Sequence, residues 1–409
     1  MTSPVPSIPK TTERASAVPA VAAVFFVHGL LFASWVAHIP QVKANLGLGL
    51  GLLGIALLGA PVGSILAMSG AGYLVPRLGS RRVLRVAMIG YCLVPALLGV
   101  TGSLVAFVIV YMFWGIFQGT VEVAMNTQGV AAEGAERRPV MPMFHGSWSL
   151  GALAGALLGT VAVALGVPLA GQLLVLGTVS LVVLGVLTRR LLPGDRHDLP
   201  PGSVAAARPA PVRRWWTTAL LVLCVVALAD MLCEGAAADW SAVYLRSSFH
   251  ATGVIVGLAY TLYSLAMVVT RFAGSRLVAR WPNERVLPAL TALATLGFAA
   301  GLVVNDAGVM LVAFACLGIG CALVIPTTYS TVGRLASENP GRGVALVSGI
   351  GWVGFVAGPV LIGQIAAISS LRDALIALPV LTALITVLLV STGALTTDRA
   401  RSDQLPSER

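Results

Sequence analysis

The stretch GYLVPRLGSRR, from Gly72 to Arg82, places three arginines in a short turn between two long apolar runs. An apolar helix needs about 20 residues to cross the ~30 Å hydrocarbon layer of a bilayer. Hydrophobic residues make up 57% of the 409 residues in the chain, and charged residues only 10%. The segment is therefore predicted to be a basic loop between two membrane-spanning segments.

Twelve apolar runs of sufficient length can be marked along the chain. Each is predicted to be a helix, because an unpaired backbone amide in lipid is costly and the runs lack the alternation of a barrel strand. The fold class is thus an all-α polytopic membrane protein. The predicted spans are 18–39, 50–75, 83–102, 104–130, 142–165, 168–188, 216–243, 252–275, 286–304, 307–332, 343–367 and 371–392.

The basic residues fall on one alternate set of the segments between these spans. That set carries 23 of the 26 lysines and arginines, and only Lys43, Arg246 and Arg372 lie in the other. Cytoplasmic loops carry an excess of basic residues, so both termini and the central loop are predicted to be cytoplasmic. The net charge of +10 is dispersed over short loops. No basic, aromatic-rich domain is present, so nucleic acid is not an expected partner.

A segment rich in Pro, Ala and Arg divides the chain in two. Three matches link the parts. ASWVA from Ala33 resembles ADWSA from Ala238. Gly115-Ile116 recurs as Gly318-Ile319, and the glycine pair Gly151 and Gly155 also recurs 203 residues later. Such a repeat predicts two six-helix halves related by a pseudo-two-fold axis. The predicted organisation is a cytoplasmic tail (1–17), the first half (18–188), a cytoplasmic linker (189–215), the second half (216–392) and a second tail (393–409).

The loop from Gly72 to Arg82 resembles the signature loop of the major facilitator superfamily. That signature consists of a glycine, an acid, a base, a second glycine and paired bases. The matching residues are Gly72, Arg77, Gly79, Arg81 and Arg82. Pro76 stands where the family has its acid, so the cytoplasmic latch made by that acid is absent or is supplied by another residue. The resemblance implies a multi-pass transporter of the inner cell membrane that works by alternating access, and we expect a monomer.

Carboxylates inside the membrane are the most informative polar residues. A charged group at the bilayer centre costs about 2.5–3.5 kcal/mol, so it is usually interior, paired and functional. Glu122, Asp230 and Glu234 lie within predicted spans. Asp230 and Glu234 are one helical turn apart and repel each other, so one should hold a proton unless a cation lies between them. They are candidates for a proton or sodium coupling site. The alternative is an internal ion pair with Arg271.

In the fourth span, Gln118, Glu122 and Asn126 recur at four-residue spacing, and Trp114 falls within the same arc. The stretch EVAMN, from Glu122 to Asn126, resembles the acid and asparagine of helix 4 in the fucose-permease-like, sugar-porter-like branch of the superfamily. In that branch the acid belongs to sugar recognition and proton coupling, so the resemblance makes Glu122 a third candidate for the coupling site. Alternatively, Glu122 only forms hydrogen bonds with neighbouring helices.

The branch also uses an acid in its first helix, where this chain offers a histidine and a tryptophan instead. The histidine could relay protons near neutral pH or be a packing residue. Aromatic rings in the spans could stack on a substrate ring. Tyr329 follows Pro326, which is expected to weaken the helix. The complete set of predicted substrate-binding residues is His28, Trp35, Trp114, Gln118, Glu122, Asn126, Tyr260 and Tyr329.

Other chemistries have little support in the sequence. All five cysteines fall inside predicted spans without metal-ligand spacing, so neither a disulfide nor a zinc site is expected. No catalytic constellation and no phosphate-binding G-x-x-x-x-G-K-[ST] loop is present. The chain is therefore not expected to be an enzyme or to need a cofactor. An ion gradient is the expected source of energy.

Three functions fit these features. The first is a proton-coupled symporter for a small polar solute. The second is an exporter that exchanges a drug or metabolite for protons; such exporters typically carry a glycine-proline pair in helix 5, where this chain has Gly155-Ala156. The third is a non-transporting membrane sensor or assembly protein on the same scaffold, although no segment is long enough for a large signalling domain.

Overall fold

The computed structural model describes residues 11–136, 140–192, 218–335 and 340–395. Most of the predicted linker and most of both predicted tails lie outside these ranges. Every regular element within them is helical. Twelve helical segments of the described chain are long and apolar enough to cross a membrane, which confirms the predicted class and number of spans. The orientation of the termini remains a prediction.

The observed spans agree with the predicted ones to within a few residues. The main exception is the first, whose helix starts by Thr11 and whose span continues to Asn45. The spans are Ala17–Asn45 (α1), Leu50–Val75 (α2), Ser80–Val100 (α3), Leu104–Glu133 (α4), Met143–Ala164 (α5), Leu169–Arg190 (α6), Thr218–Ser248 (α7), Val254–Gly274 (α8), Asn283–Val304 (α9), Ala307–Val332 (α10), Leu346–Ile368 (α11) and Leu371–Thr392 (α12).

Some spans are continuous helices and others are interrupted. The continuous helices are Leu104–Glu136 (α4), Met141–Ala164 (α5), Leu169–Leu187 (α6), Thr218–Ser248 (α7), Val254–Arg280 (α8), Asn283–Val304 (α9) and Pro340–Ile368 (α11). The interrupted spans consist of Thr11–Ser34, Val36–His38 and Ile39–Asn45 in α1, Leu50–Ala56 and Gly59–Leu78 in α2, Ser80–Leu93 and Val94–Val100 in α3, Ala307–Cys321 and Val324–Leu335 in α10, and Leu371–Ala374 and Ala377–Thr392 in α12.

Proline accounts for four of these interruptions. It lacks a backbone N–H, and its ring clashes with the carbonyl four residues earlier. In α2, α10 and α12 the helix breaks at the residue four positions before a proline. These pairs are Leu57 and Pro61, Ala322 and Pro326, and Leu375 and Pro379. In α1 the α-helix ends at Ser34, and a 3-10 turn begins at Val36, four positions before Pro40. The predicted weakening of the helix near Pro326 is therefore observed.

The helices group into two compact units that do not follow the linker. Of the described residues, unit 1 holds those within Met1–Trp35, Gly59–Gly155 and Val167–Arg208, and unit 2 holds those within Val36–Leu58, Ala156–Gly166 and Pro209–Arg409. Unit 2 therefore includes the ends of α1 and α5 and the start of α2. The division into two six-helix halves remains a prediction based on the repeat.

Glycines allow close helix packing at equivalent places in the two units. In unit 1, a Cβ on Gly151 or Gly155 of α5 would collide with the backbone carbonyl of Phe26 or Leu30 in α1. In unit 2, a Cβ on Gly354 of α11 would collide with the Leu228 carbonyl in α7. The repeated glycines are therefore packing residues, as small residues at helix interfaces commonly are.

Gly151→Ala should destabilise the protein, because the new methyl group has no room against the carbonyl of Phe26. Overpacking of this kind costs about 1–3 kcal/mol. Gly146→Ala in the same helix is the matched control, since no atom lies within 4 Å of its Cβ position. That control should be neutral or slightly stabilising. Thermal unfolding in detergent micelles compares the two, and equal midpoints would contradict the packing role.

Candidate functional site

A cluster of aromatic side chains lines part of unit 1. The ring of Trp35 lies 4.9 Å from that of Tyr111 and 6.2 Å from that of Trp114, and Trp114 lies 5.9 Å from Tyr91. Trp114 is 2% exposed, and its indole Nε1 has no hydrogen-bond partner among the described residues. The predicted residues Trp35 and Trp114 thus lie together. Tyr91 in α3, which joins them, was missed; its only signal in the sequence was a tyrosine within an apolar span.

His28 in α1 lies beside this cluster and is 3% exposed. The indole Nε1 of Trp148 in α5 donates a hydrogen bond to its Nδ1 at 2.8 Å. The Tyr91 hydroxyl donates to the backbone carbonyl of His28 at 2.8 Å, and the two rings stack with centroids 4.8 Å apart. His28 is therefore held on two sides by residues of other helices.

The polar face of α4 contributes the acid of this site. Glu122 and Asn126 are half-buried, and Gln118 is buried. The side-chain amide of Asn126 donates to the backbone carbonyl of Glu122 at 2.8 Å, so one of its donors is used within the helix. Glu122 lies within electrostatic range of Tyr91. The carboxyl group of Glu122 is thus close to the aromatic cluster of unit 1.

The other two acids lie in unit 2. Asp230 in α7 is 0% exposed, and neither of its carboxyl oxygens meets hydrogen-bond geometry with a described residue. The thiol of Cys321, a weak donor, lies beside it. Glu234 is half-buried one turn further along α7. We call Asp230, Glu234 and Cys321, together with two tyrosines of α8, the carboxyl cluster.

The tyrosines of this cluster are Tyr260 and Tyr263. Their rings stack with centroids 5.7 Å apart, and both are buried. Both lie within electrostatic range of Glu234. The hydroxyl of Tyr263 has no hydrogen-bond partner among the described residues. Tyr260 was predicted as a binding residue, whereas Tyr263 was missed.

Arg271 in α8 is the basic residue of this region. Its Nε donates to the backbone carbonyl of Ala322 at 3.1 Å. That carbonyl lies four residues before Pro326, which has no N–H to bond to it. Arg271 also lies within electrostatic range of Asp230 and Glu234. The helix break in α10 thus provides an acceptor that fixes this guanidinium near the acids.

Comparisons with known proteins place the chain in a family. The model of the Major Facilitator Superfamily matches residues 20–244 and 222–409. The chain belongs to the Major Facilitator Superfamily. An uncharacterized MFS-type transporter of Yersinia pestis is 31% identical over 86% of this chain and 89% of its own length. Membrane protein MosC of Rhizobium meliloti is 28% identical over 88% of this chain and 86% of its own length.

Solved transporters share the fold. The nucleoside transporter NupG superposes with a TM-score of 0.68 and 11% identity, covering 92% of this chain and 99% of the NupG chain. The fucose:proton symporter FucP of E. coli gives a TM-score of 0.60 and 15% identity, covering 91% and 97%. At these identities the likeness concerns the fold alone. Together with the family, the relatives make this chain a multi-pass membrane transporter of a small-molecule substrate, and not an enzyme.

The superfamily signature loop has a structural role in unit 1. Gly79 adopts φ 84°, a conformation that favours glycine, between the end of α2 and the start of α3. Arg77 stacks over the ring of Tyr73 at 3.5 Å. Arg81 donates to the carbonyl of Arg189 at 2.7 Å, at the C-terminal end of α6. Basic groups are favourable at that end of a helix.

Further hydrogen bonds at this loop, made by Arg85 and Gln128, were missed by sequence reasoning. Arg85 donates to the carbonyl of Thr188 at 2.8 Å. The side-chain amide of Gln128 in α4 donates to the Ser80 hydroxyl at 2.7 Å, and its oxygen accepts from the backbone N–H of Leu192 at 3.1 Å. These bonds join the start of α3 to the ends of α4 and α6. Of the remaining loop residues, Gly72 is half-buried and Arg82 is exposed.

Unit 2 joins segments from before and after the linker. The amide of Gln364 in α11 donates to the carbonyl of Gly51 in α2 at 3.2 Å. The hydroxyls of Thr160 in α5 and Thr261 in α8 are 3.0 Å apart. Tyr329, the last predicted binding residue, is half-buried in the second segment of α10. Among the described residues, no cluster of three or more His, Cys, Asp or Glu is arranged to hold a metal ion.

Proposed function

We propose that this chain is a proton-coupled symporter for a small polar organic solute, sugar-like or another organic metabolite, that acts by alternating access. It acts as a monomer in the inner cell membrane, with both termini in the cytoplasm and two six-helix halves that rock about the substrate. The proton is the proposed coupling ion, and sodium is the alternative for the same acids.

The burial of Asp230 carries this proposal. A charged carboxylate in a low-dielectric interior is very costly unless it is hydrogen-bonded and paired. Asp230 has no partner that meets hydrogen-bond geometry among the described residues, and Glu234 lies one turn away. Binding a proton removes the cost of the charge and the repulsion, and releasing it restores both. The carboxyl cluster therefore has the properties of a group whose protonation can be linked to a conformational change.

The aromatic cluster of unit 1 supports an organic solute as the cargo. Its rings offer flat apolar surfaces, and the Nε1 of Trp114 is a buried donor with no partner among the described residues. Glu122 adds a strong acceptor close to the same rings. A solute with hydroxyl groups on a compact ring would satisfy both the donor and the acceptor. We propose Trp35, Trp114, Gln118 and Glu122 as its binding surface.

His28 and Asn126 are further proposed binding residues next to this surface. The His28 ring stacks on Tyr91 of the aromatic cluster, and the Asn126 side chain bonds to the backbone carbonyl of Glu122. In unit 2, Tyr260 belongs to the carboxyl cluster. Tyr329 is proposed as a binding residue only because it lies just after the break in α10.

Asp230→Asn and Glu234→Gln should each uncouple transport, because an amide cannot bind and release a proton. A thermal-shift screen against sugars, polyols, organic acids and amines first identifies a solute, since ligand binding raises the apparent stability of the native protein. In proteoliposomes, both variants should then lose accumulation driven by a pH gradient but retain exchange of labelled for unlabelled solute.

Asp306→Asn is the matched control for these variants. Asp306 caps α10 by accepting from the backbone N–H of Val309 at 3.0 Å, outside the carboxyl cluster, and asparagine caps helices equally well. This control should accumulate solute normally. Gradient-driven accumulation by Asp230→Asn at the control level would exclude Asp230 as the coupling residue. If accumulation depended on a sodium gradient instead of a pH gradient, the coupling ion would be sodium and not the proton.

Glu122→Gln should weaken solute binding while leaving the protein folded. A hydrogen bond to a charged group contributes about 1.5–3 kcal/mol, so the affinity should fall about 10-fold to 100-fold. Titration by thermal shift measures this change. Glu136→Gln is the control, because Glu136 lies at the C-terminal end of the same helix, which is proposed to face the cytoplasm. Unchanged affinity in Glu122→Gln would show that Glu122 forms hydrogen bonds only with the protein.

A further inference from the structure

His28 is enclosed by residues of three other helices. The Tyr91 ring of α3 stacks on it, the backbone of Gln118 in α4 lies beside it, and Trp148 of α5 donates to its Nδ1. It is 3% exposed. The hydrogen bonds of its two ring nitrogens therefore decide its protonation state, with little contribution from bulk water.

The bond from Trp148 determines which ring nitrogen carries the proton. An indole nitrogen is always a donor and never an acceptor. The Nδ1 of His28, 2.8 Å from the Trp148 Nε1, must therefore present its lone pair and cannot be protonated while this bond exists. If both ring nitrogens were protonated, the Nδ1–H of His28 would face the Nε1–H of Trp148, and no hydrogen bond could form between them. A neutral ring with its proton on Nε2 is the one state that this contact permits.

We propose that Trp148 is a positioning residue that holds His28 as a neutral imidazole protonated on Nε2. His28 is then no proton carrier, and the coupling reaction is left to carboxyl groups. Its Nε2–H is then a fixed donor that faces the backbone of Gln118 in α4 as its nearest acceptor, although no described residue meets full hydrogen-bond geometry with it. A histidine in a transport site would otherwise be the first group to suspect as a relay near neutral pH.

The charged and titratable neighbours do not offer His28 a competing partner. On α3 the neighbour is Tyr91, which stacks on the ring and whose hydroxyl is bonded to the His28 backbone carbonyl. On α4 the nearest acid is Glu122, which acts on Tyr91 and has no electrostatic interaction with His28. On α5 the neighbour at Nδ1 is the uncharged Trp148. The Trp148 contact is therefore the specific constraint on the ring.

Nitrogen NMR of the full-length protein in lipid, labelled with ¹⁵N-histidine, tests this proposal without any substrate. The chain has five histidines, and His28→Asn identifies the signal of His28 by its loss. The expected signal is that of a neutral ring with bare Nδ1 and protonated Nε2, unchanged from about pH 5 to 8, the range in which an ordinary histidine titrates. A His28 signal that titrates in this range, or one protonated on Nδ1, would overturn the proposal.

Trp148→Phe removes the donor and keeps an aromatic ring. In this variant the His28 signal should become a mixture of tautomers or begin to titrate. Trp352→Phe is the matched control, because Trp352 is a tryptophan of α11, in unit 2, one residue beyond the position that the repeat relates to Trp148. It should leave the His28 signal as it is in the unsubstituted protein. An unchanged His28 signal in Trp148→Phe would exclude Trp148 as the residue that fixes the ring. Since the readout is spectroscopic, it is independent of whether the chain proves to be a symporter.

Discussion

The hydrocarbon layer offers no partner to a polar group, and this constraint accounts for most of the molecule. Backbone amides must bond within helices, so the spans are helical. Where a proline removes one amide, the freed carbonyl needs another donor, and the carbonyl of Ala322 receives the Nε of Arg271. The helix break and the position of the guanidinium are therefore one feature with a single cause.

The same constraint makes Asp230 unusual. Arg85 and Gln128 lie near helix ends and find backbone partners there. Asp230 lies inside α7 without such a partner among the described residues, and its neighbours are a thiol, Tyr263, a second acid and, within electrostatic range, the guanidinium of Arg271. A carboxyl group buried in the membrane interior at such a cost in free energy is usually functional. Binding a proton removes this cost, so protonation of Asp230 can be linked to a conformational change.

The sequence predicted the spans well because hydropathy and length are local properties. The four proline breaks were equally accessible, since each lies at or next to the residue four positions before its proline, but only the one near Pro326 was anticipated. The packing role of Gly151 was also visible from its spacing. These features depend on neighbours within one or two helical turns.

The partners across helices could not be predicted. Trp148 and His28 are 120 positions apart, and their hydrogen bond depends on the rotation and height of two helices, which no spacing rule gives. Tyr91 and Tyr263 were missed for the same reason. Sequence reasoning found the carboxyl groups because charge in a membrane is conspicuous, and it missed neutral residues that decide how those groups and His28 are held.

The most direct test of the account is whether the carboxyl cluster holds a proton at neutral pH. Infrared spectroscopy of the protein in lipid resolves the carbonyl stretch of a protonated carboxyl group from that of a carboxylate. The account predicts a protonated carboxyl band at neutral pH that loses intensity in Asp230→Asn and in Glu234→Gln and keeps its full intensity in Asp306→Asn. The absence of this band, or full intensity in both cluster variants, would contradict the central claim.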